Sequence, residues 1–255
     1  MSDRDSGTRV PDDSQAAAGL RLAVHAGDVE AIRRLLRDDP ALASARLTGK
    51  DGSSTTPLHL VTDWPGYFPN GREIARLLIG AGADTEARTE GRAGDTDPGE
   101  TPLHYAASSD DADVAEALIE GGADIEAPDG SIGAPLDNAV GYGCWHVARL
   151  LVARGAKVDR LWHAAALGLL ERLEQLLMER PDAAGVSQAF WHACAGGQRR
   201  AAEYLLAHGA DRNWVPDYAE GTPLDAASSG STRQGNVVRW LQEQGAISAK
   251  PRPRV

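Results

Sequence analysis

The sequence predicts an all-α repeat solenoid, because one short pattern recurs along the chain at an interval of about 33 residues. The pattern is Thr-Pro-Leu-His, followed further along by Gly-Ala-Asp. Complete copies lie at residues 56–59 with 82–84 and at residues 101–104 with 122–124, and a later Gly-Ala-Asp at 209–211 precedes Thr-Pro-Leu at 222–224. Self-similarity of this length indicates a stack of small units, each packed against its neighbours.

The copy that begins at Thr101 shows why each unit should form two helices. Thr101 is a good N-cap, and Pro102 is tolerated in the first helical turn. The alanine pair at 106–107 lets neighbouring helices approach closely. Residues 114–119 carry the apolar stripe of a second helix, which Gly122 ends by supplying a left-handed residue. Each unit is therefore expected to be a helix-turn-helix.

These motifs resemble the ankyrin repeat, whose short form is Thr-Pro-Leu-His-x-Ala. The resemblance covers residues 16–248 and implies an ankyrin array of about seven helix-turn-helix repeats. We place the repeats near residues 16–48, 56–100, 101–133, 134–160, 161–188, 189–221 and 222–248, and we expect the tails at 1–15 and 249–255 to be disordered. Asp-Trp-Pro-Gly at 63–66 and Trp-His-Ala at 162–164 and 191–193 are similar to a bacterial group of single-domain ankyrin proteins, from which no activity carries over.

Departures from the repeat mark where this chain is individual. From His59 to His104 the chain advances 45 residues, which is more than one period. Part of the excess is an insert at residues 63–71, and the rest lengthens the β-finger at residues 87–99. The connection at residues 155–161 is instead too short for a finger, and the following connection is also short. We therefore expect some β-finger loops to be lengthened and others to be missing.

Candidate binding residues follow from the resemblance, which implies that partners meet the finger tips and the exposed residues of the first helices on a concave face. Aromatic side chains are frequent anchors at such surfaces. The candidate partner-binding or ligand-binding residues are His25, Asp63, Trp64, Tyr67, Phe68, Ser109, Tyr142, Trp162, His163, Trp191, His192 and Trp214. We expect a protein or peptide partner, with a small molecule as the alternative ligand.

Two aromatic groups leave alternatives open. The aromatic residues of the insert are costly to leave in water, so they either fold back to fill a gap at the second repeat or form an aromatic wall of the groove. Trp162 and Trp191 stand where the motif has histidine. They either fill space left by the short fingers or, with the histidine that follows each, form the floor of a pocket.

The motif histidines and the cysteines are expected to be structural. His59 and His104 should hydrogen-bond backbone groups between repeats, as the resemblance implies. Cys194 takes an alanine position and should be a small buried residue. The sequence contains no CxxC, HxxxH, GxSxG, HExxH or Walker motif. We therefore predict no metal, no cofactor and no conventional catalytic site.

Charge and composition exclude several classes of partner. The net charge of −11 argues against nucleic acid and against anionic membrane surfaces, both of which demand clustered lysine and arginine. Two cysteines do not make a disulfide framework, which fits a reducing cytosol. The sequence shows neither a signal peptide nor an apolar run of about 18 residues, so no membrane span is expected. We expect a cytoplasmic monomer.

Three functions follow from these observations. The first is a non-catalytic module that binds a protein or peptide in a concave groove bearing the aromatic insert. The second is a small-molecule binder or unconventional enzyme, in which Asp63 would be the acid or base and His163 and His192 its counterparts. The third is an immunity or antitoxin-like protein whose acidic groove masks a basic partner.

Overall fold

Helix pairs follow the repeat motif throughout the computed structural model, which describes residues 8–92, 98–229 and 235–249. In these residues fourteen α-helices form seven consecutive pairs, and the two helices of each pair pack together. The pairs are α1 (Gln15–Ala26) and α2 (Val29–Asp38), α3 (Pro57–Thr62) and α4 (Gly71–Gly80), α5 (Pro102–Ser109) and α6 (Ala112–Glu120), α7 (Pro135–Gly141) and α8 (Trp145–Ala153), α9 (Leu161–Leu167) and α10 (Leu170–Leu177), α11 (Ala183–Ala195) and α12 (Arg199–Ala207), and α13 (Pro223–Ser228) and α14 (Gly235–Glu243). The predicted all-α repeat solenoid is thereby confirmed.

The chain divides into two units, Met1–Ala156 and Lys157–Val255. In the first unit the first helices of successive repeats pack in one row, α1 on α3, α3 on α5 and α5 on α7, while α2, α4, α6 and α8 pack in a second row. In the second unit α11 packs against both α9 and α13, and α10 packs against α12. Each unit is therefore built of two helical layers with an apolar core between them.

Each motif histidine of the first unit bonds the backbone at a repeat junction, at the residue directly before the N-cap of the next repeat. The backbone N–H of the N-cap threonine donates to Nδ1 of His59 at 3.2 Å and of His104 at 3.3 Å. The opposite ring nitrogen, Nε2, then carries the proton and donates to the carbonyl of Glu100 at 2.9 Å and of Gly133 at 3.0 Å. Burial lowers the pKa of His59 to about 4. The prediction that these histidines bond backbone between repeats is confirmed.

Large aliphatic side chains and alanines fill the core of each unit. In the first unit, the fully buried leucines and isoleucines are Leu20, Ile32, Leu58, Ile74, Leu78, Leu103, Leu118 and Leu151. In the second unit Phe190 is fully buried, and its ring centroid lies 6.3 Å from that of Trp240. Cys194 is also fully buried, as predicted, and burial raises the pKa of its thiol.

A small sheet at the N-terminal end corrects one prediction. Strands β1 (Arg9–Pro11), β2 (Arg46–Thr48) and β3 (Ser54–Thr55) form a sheet in that order, with β1 parallel to β2 and β2 antiparallel to β3. The expectation that residues 1–15 are disordered is therefore wrong from residue 8 onward, because β1 satisfies its backbone groups on a strand distant in the sequence. Residues 1–7 and 250–255 of the predicted tails lie outside the described residues.

Fingers and connections vary as the sequence indicates. After α4 the chain returns along β3, where Glu90 and Ser54 exchange backbone hydrogen bonds of 2.9 and 3.0 Å; residues 93–97 of the predicted long finger lie outside the described residues. In the second unit α11 has 13 residues and starts at Ala183, where the Asp182 carboxylate accepts from the Gly185 N–H at 2.7 Å. The early start of α11 occupies chain that a finger would otherwise use.

Candidate functional site

The insert at residues 63–71 is fastened to the first repeat at its C-terminal end. The Phe68 ring stacks on the His25 ring, with centroids 4.6 Å apart and planes 16° from parallel. The Asn70 side-chain amide donates to the carbonyl of Gly27 at 2.9 Å. Gly27 has a φ of 65°, and a Cβ added there would lie 2.3 Å from the carbonyl oxygen of Pro69. The loop and the α1–α2 turn are therefore in close backbone contact.

The middle of the same insert is fastened to the third repeat. The Tyr67 N–H donates to the carboxylate of Asp111 at 2.8 Å, and the Tyr67 hydroxyl donates to the carbonyl of Asp110. Gly66 lies against Ser109, whose hydroxyl donates to the carbonyl of Thr62 at 3.2 Å. The insert thus spans from the first repeat to the third, across the second.

The aromatic residues of the insert differ in how far they are covered. Phe68 folds back and is half-buried, but it packs on the first repeat and not, as one alternative expected, on the second. Trp64 and Tyr67 remain 79% and 57% exposed. The hydroxyl and the backbone N–H of Tyr67 are both hydrogen-bonded to the third repeat, so Trp64 is the aromatic residue of the insert that is most open to solvent.

A cleft of about 220 Å³ opens beside Trp64 in the first unit. Its lining residues come from the end of α3, from the insert, from α5, from the loops before α5 and α7, and from the end of α7. They are Thr62, Asp63, Trp64, Glu100, Tyr105, Ser108, Ser109, Ser131 and Tyr142. Tyr142, 55% exposed at the end of α7, places its hydroxyl 3.2 Å from that of Ser131. Of the residues predicted for binding, four therefore meet at one place: Asp63, Trp64, Ser109 and Tyr142.

Two carboxylates contribute to this cleft. Oε1 of Glu100 accepts from the Ser131 N–H at 2.8 Å and from the Asn138 amide at 2.6 Å, so neutral donors fix its position. Burial raises the pKa of Tyr105, and the negative charges of Glu100 and then Asp63 raise it further. Both carboxylates therefore lie close enough to Tyr105 to act on its hydroxyl.

A second cleft, of about 420 Å³, adjoins the first. The two share Glu100, Tyr105 and Ser131, and the second continues past β3 to residues 89–91. The two clefts are separate and lie side by side along the fingers of the first unit.

The Trp–His pairs of the second unit lie mostly beneath the surface. His163 and His192 are buried, and the Trp162 ring packs on His192 with centroids 4.8 Å apart. Nε2 of His192 lies 3.1 Å from the Tyr218 hydroxyl, and burial lowers the pKa of His192 to about 3. His192 is therefore neutral at ordinary pH and sits behind aromatic rings.

Trp191 makes the hydrogen bond that the motif histidine makes in other repeats. Its Nε1–H donates to the carbonyl of Gly221 at 3.1 Å, just as His104 donates to Gly133. Trp214 is half-buried after the last Gly-Ala-Asp, where its N–H donates to the carbonyl of Asp211 at 3.2 Å. The side-chain bond accounts for Trp191 as a support of the repeat framework, whereas the bond at Trp214 is made by its backbone.

The three residues named for the catalytic alternative belong to different units. Asp63 belongs to the first unit and is exposed, whereas His163 and His192 belong to the second and are buried. Among the described residues no three His, Cys, Asp or Glu side chains are placed to hold a metal ion. Within the same residues no helix combines the length and apolar character needed to cross a membrane.

Sequence reasoning missed Glu100, Tyr105 and Ser131. Tyr105 follows the motif histidine and Glu100 precedes the capping threonine of the same repeat. An aromatic at the variable position of Thr-Pro-Leu-His-x-Ala was the available signal, because that position lies on the helix face next to the fingers. Ser131 gave none, because its place depends on the path of the following finger.

Comparison with known proteins agrees with this architecture. The family described as "Ankyrin repeats (3 copies)" matches residues 67–160 and again residues 161–250. The chain is 26% identical over 265 residues to the B-cell lymphoma 3 protein homolog of Mus musculus, covering 96% of this chain and 55% of that protein. It is 30% identical over 138 residues to the nuclear factor NF-kappa-B p105 subunit of Gallus gallus, covering 54% of this chain and 13% of that protein. The chain thus spans about half or less of the curated relatives it matches.

Solved structures show the same fold. The ankyrin repeat domain of Bcl-3, described as a unique member of the IkappaB protein family, superposes with a TM-score of 0.50 at 25% identity, covering 88% of this chain and 97% of that one. The human ASB11 ankyrin repeat domain gives a TM-score of 0.50 at 18% identity, covering 92% and 99% of the two chains, and supports the fold alone. With the family match extending over well more than half of its residues, this chain belongs to the ankyrin repeat family.

Proposed function

We propose that this protein is a binding module that holds a protein or peptide segment at an aromatic surface of its first unit. We define the aromatic surface as Trp64, Tyr67 and Tyr142 with the cleft between Trp64 and Tyr142. The observation that carries the proposal is the 79% exposure of Trp64 on a loop that is fastened at both sides. When a partner covers a large indole that a fixed backbone holds in water, the burial of its apolar surface stabilises the complex.

The fastening of the insert supports binding because it reduces the entropy lost on association. Hydrogen bonds to the third repeat at Thr62, before Trp64, and at Tyr67, after it, already hold the backbone around Trp64. A partner therefore meets a preformed surface and does not have to order the loop. Tyr142 lines the same cleft as Trp64, and aromatic residues around a small pocket are typical anchors of an interface.

The relatives agree with a binding role in general terms. The Bcl-3 domain is described as a member of the IkappaB protein family, and the p105 relative is by name a subunit, which is a chain that assembles with others. Because a shared fold does not fix a function, the proposal depends on the aromatic surface and takes from the relatives only the general role of a partner-binding scaffold.

A display experiment tests the assignment. A library of random peptides is selected on the intact protein, and the affinities of the recovered peptides are measured by calorimetry. We expect Trp64→Ala to weaken them by about tenfold or more, as loss of an anchor does, and Tyr142→Ala to weaken them as well. Because both side chains are exposed, neither variant should change the unfolding midpoint by much.

Leu22→Ala is the matched control, since Leu22 is 71% exposed on α1 of the same unit and outside the aromatic surface. It should leave the affinities unchanged. Peptides that bind Trp64→Ala and Tyr142→Ala as tightly as the parent protein would place the binding surface elsewhere and refute the proposal.

A further inference from the structure

The cleft beside Trp64 has the chemistry to receive one kind of side chain. Resting on the function proposed above, we infer that it takes an arginine side chain of the bound partner, with the guanidinium group among the rings of Trp64, Tyr105 and Tyr142 and facing the carboxylates of Asp63 and Glu100. The aromatic surface would then read a basic residue within the partner segment.

The size of the cleft favours a single long side chain. Its volume is about 220 Å³, whereas sites for cofactors and drug-sized molecules start at about 300 Å³. Its lining includes two exposed aromatic side chains, the indole of Trp64 and the phenol of Tyr142. An unbranched aliphatic stem can lie between these rings while a charged head reaches the carboxylates.

The charge of the lining favours a cation. Two of the nine lining residues are acidic and none is basic. Among the described residues, the contacts of both carboxylates are with neutral donors: Asp63 accepts from the Trp64 N–H at 2.8 Å, and Glu100 accepts from Ser131 and Asn138. Their charges therefore remain available to a ligand. Both charges also add to the rise in the pKa of Tyr105, of which burial is the larger cause.

The aromatic rings and hydroxyls distinguish arginine from lysine. Guanidinium stacks on aromatic faces and carries five donors in a rigid fork, whereas ammonium is a compact and strongly hydrated charge. Acceptors for such a fork are spread around the cleft, on the two carboxylates and on the paired hydroxyls of Ser131 and Tyr142. The distribution matches a planar donor with several N–H groups.

The first test uses blocked amino acids as probes. Nα-acetyl-arginine amide is titrated into the full chain, with the indole N–H of Trp64 followed by NMR. We expect a saturable shift of this signal. The affinity obtained from it should be about fivefold or more weaker for the citrulline analogue, which keeps the shape of arginine and loses its charge. The lysine analogue should also bind more weakly than arginine. Equal binding of arginine and citrulline, or of arginine and lysine, would overturn the inference, as would the absence of any saturable shift.

Variants that remove charge and keep shape supply the second test. Glu100→Gln and Asp63→Asn should each weaken the arginine probe severalfold, and Asp63→Asn retains the oxygen that accepts from the Trp64 N–H. Asp38→Asn, an exposed carboxylate in α2, is the matched control and should have no effect. Unchanged affinity in both cleft variants, with their folding verified by circular dichroism, would refute the role of the carboxylates.

The peptide selection separates failure of this inference from failure of the proposed function. Recovered peptides that depend on Trp64 and are enriched in arginine support both. Peptides that depend on Trp64 but show no enrichment in arginine leave the binding module intact and overturn the arginine cleft. Peptides that do not depend on Trp64 or Tyr142 overturn the proposed function, and the arginine cleft with it.

Discussion

Replacing Gly27 with alanine should detach the insert from the first repeat and destabilise the helices around it. Gly27 ends α1 with a φ of 65°, so any L-residue there is strained. Its added Cβ would also lie 2.3 Å from the carbonyl oxygen and 2.6 Å from the Cβ of Pro69, distances that real Cβ atoms essentially never show. The backbone of the insert must therefore move away.

The size of the effect comes from three contributions. A left-handed alanine costs roughly 1–2 kcal/mol. Movement of the insert also breaks the Asn70–Gly27 hydrogen bond, for about 0.5–1.5 kcal/mol, and the stack of Phe68 on His25, for about the same again. Gly143→Ala is the matched control, because Gly143 has a φ of 74° in the corresponding turn between α7 and α8 but its Cβ would meet only ordinary contacts at 3.6 Å. The difference between the two variants should be about 1–3 kcal/mol.

Native-state hydrogen exchange measures this difference locally. Gly27→Ala should speed the exchange of the α1 and α2 amides relative to the parent, and Gly143→Ala should speed that of the α7 and α8 amides. The acceleration in Gly27→Ala should be roughly 5- to 150-fold larger than that in Gly143→Ala. Equal acceleration in the two variants would show that backbone strain alone accounts for the cost. The contact between the insert and the first repeat would then contribute nothing to stability.

Two further outcomes follow from the buried rings. Burial holds the pKa of His59 near 4 and of His192 near 3, below the ordinary 6.5. Above pH 6.5 both histidines are neutral in the folded and the unfolded protein, whereas between pH 6.5 and about 4 only the unfolded chain gains protons. The free energy of unfolding should therefore decrease as the pH is lowered, by up to about 1.4 kcal/mol per pH unit for each histidine. Urea titrations at pH 7 and pH 5.5 that gave equal free energies would contradict this. Trp191→Phe removes the donor to Gly221 and should lower the free energy of unfolding in urea by about 1 kcal/mol. Trp191→His keeps a donor and should lower it by less. A phenylalanine variant as stable as the parent would refute the shared role of tryptophan and histidine.

Helix pairs could be predicted from the sequence because their signals are local. A capping threonine, a proline in the first turn and a left-handed glycine act within a few residues of where they stand, as Thr101, Pro102 and Gly122 do. The start of α11 was less accessible. Asp182 is a recognisable N-cap, but the repeat register predicts that the sixth repeat begins near residue 189, which corresponds to a shorter helix.

Contacts between distant residues could not be predicted. Strand β1 is ordered by residues 46–48, and its own residues carry no strong strand signal. The aromatic character of the insert was visible, yet only the structure separates Phe68, which stacks on His25, from Trp64, which stays exposed. The carboxylate of Glu100 reaches the cleft because Ser131 and Asn138 hold it, and both lie more than 30 residues further along the chain.

The span of the insert from the first repeat to the third changes how the N-terminal end of the array should melt. In a linear array that has only nearest-neighbour coupling, the terminal repeat frays alone. Here Phe68 and Asn70 hold the first repeat while Tyr67 holds the third, which adds a next-nearest-neighbour coupling. Loss of the first repeat therefore loosens a loop that the third repeat also uses, and we expect the first three repeats to open as one cooperative block.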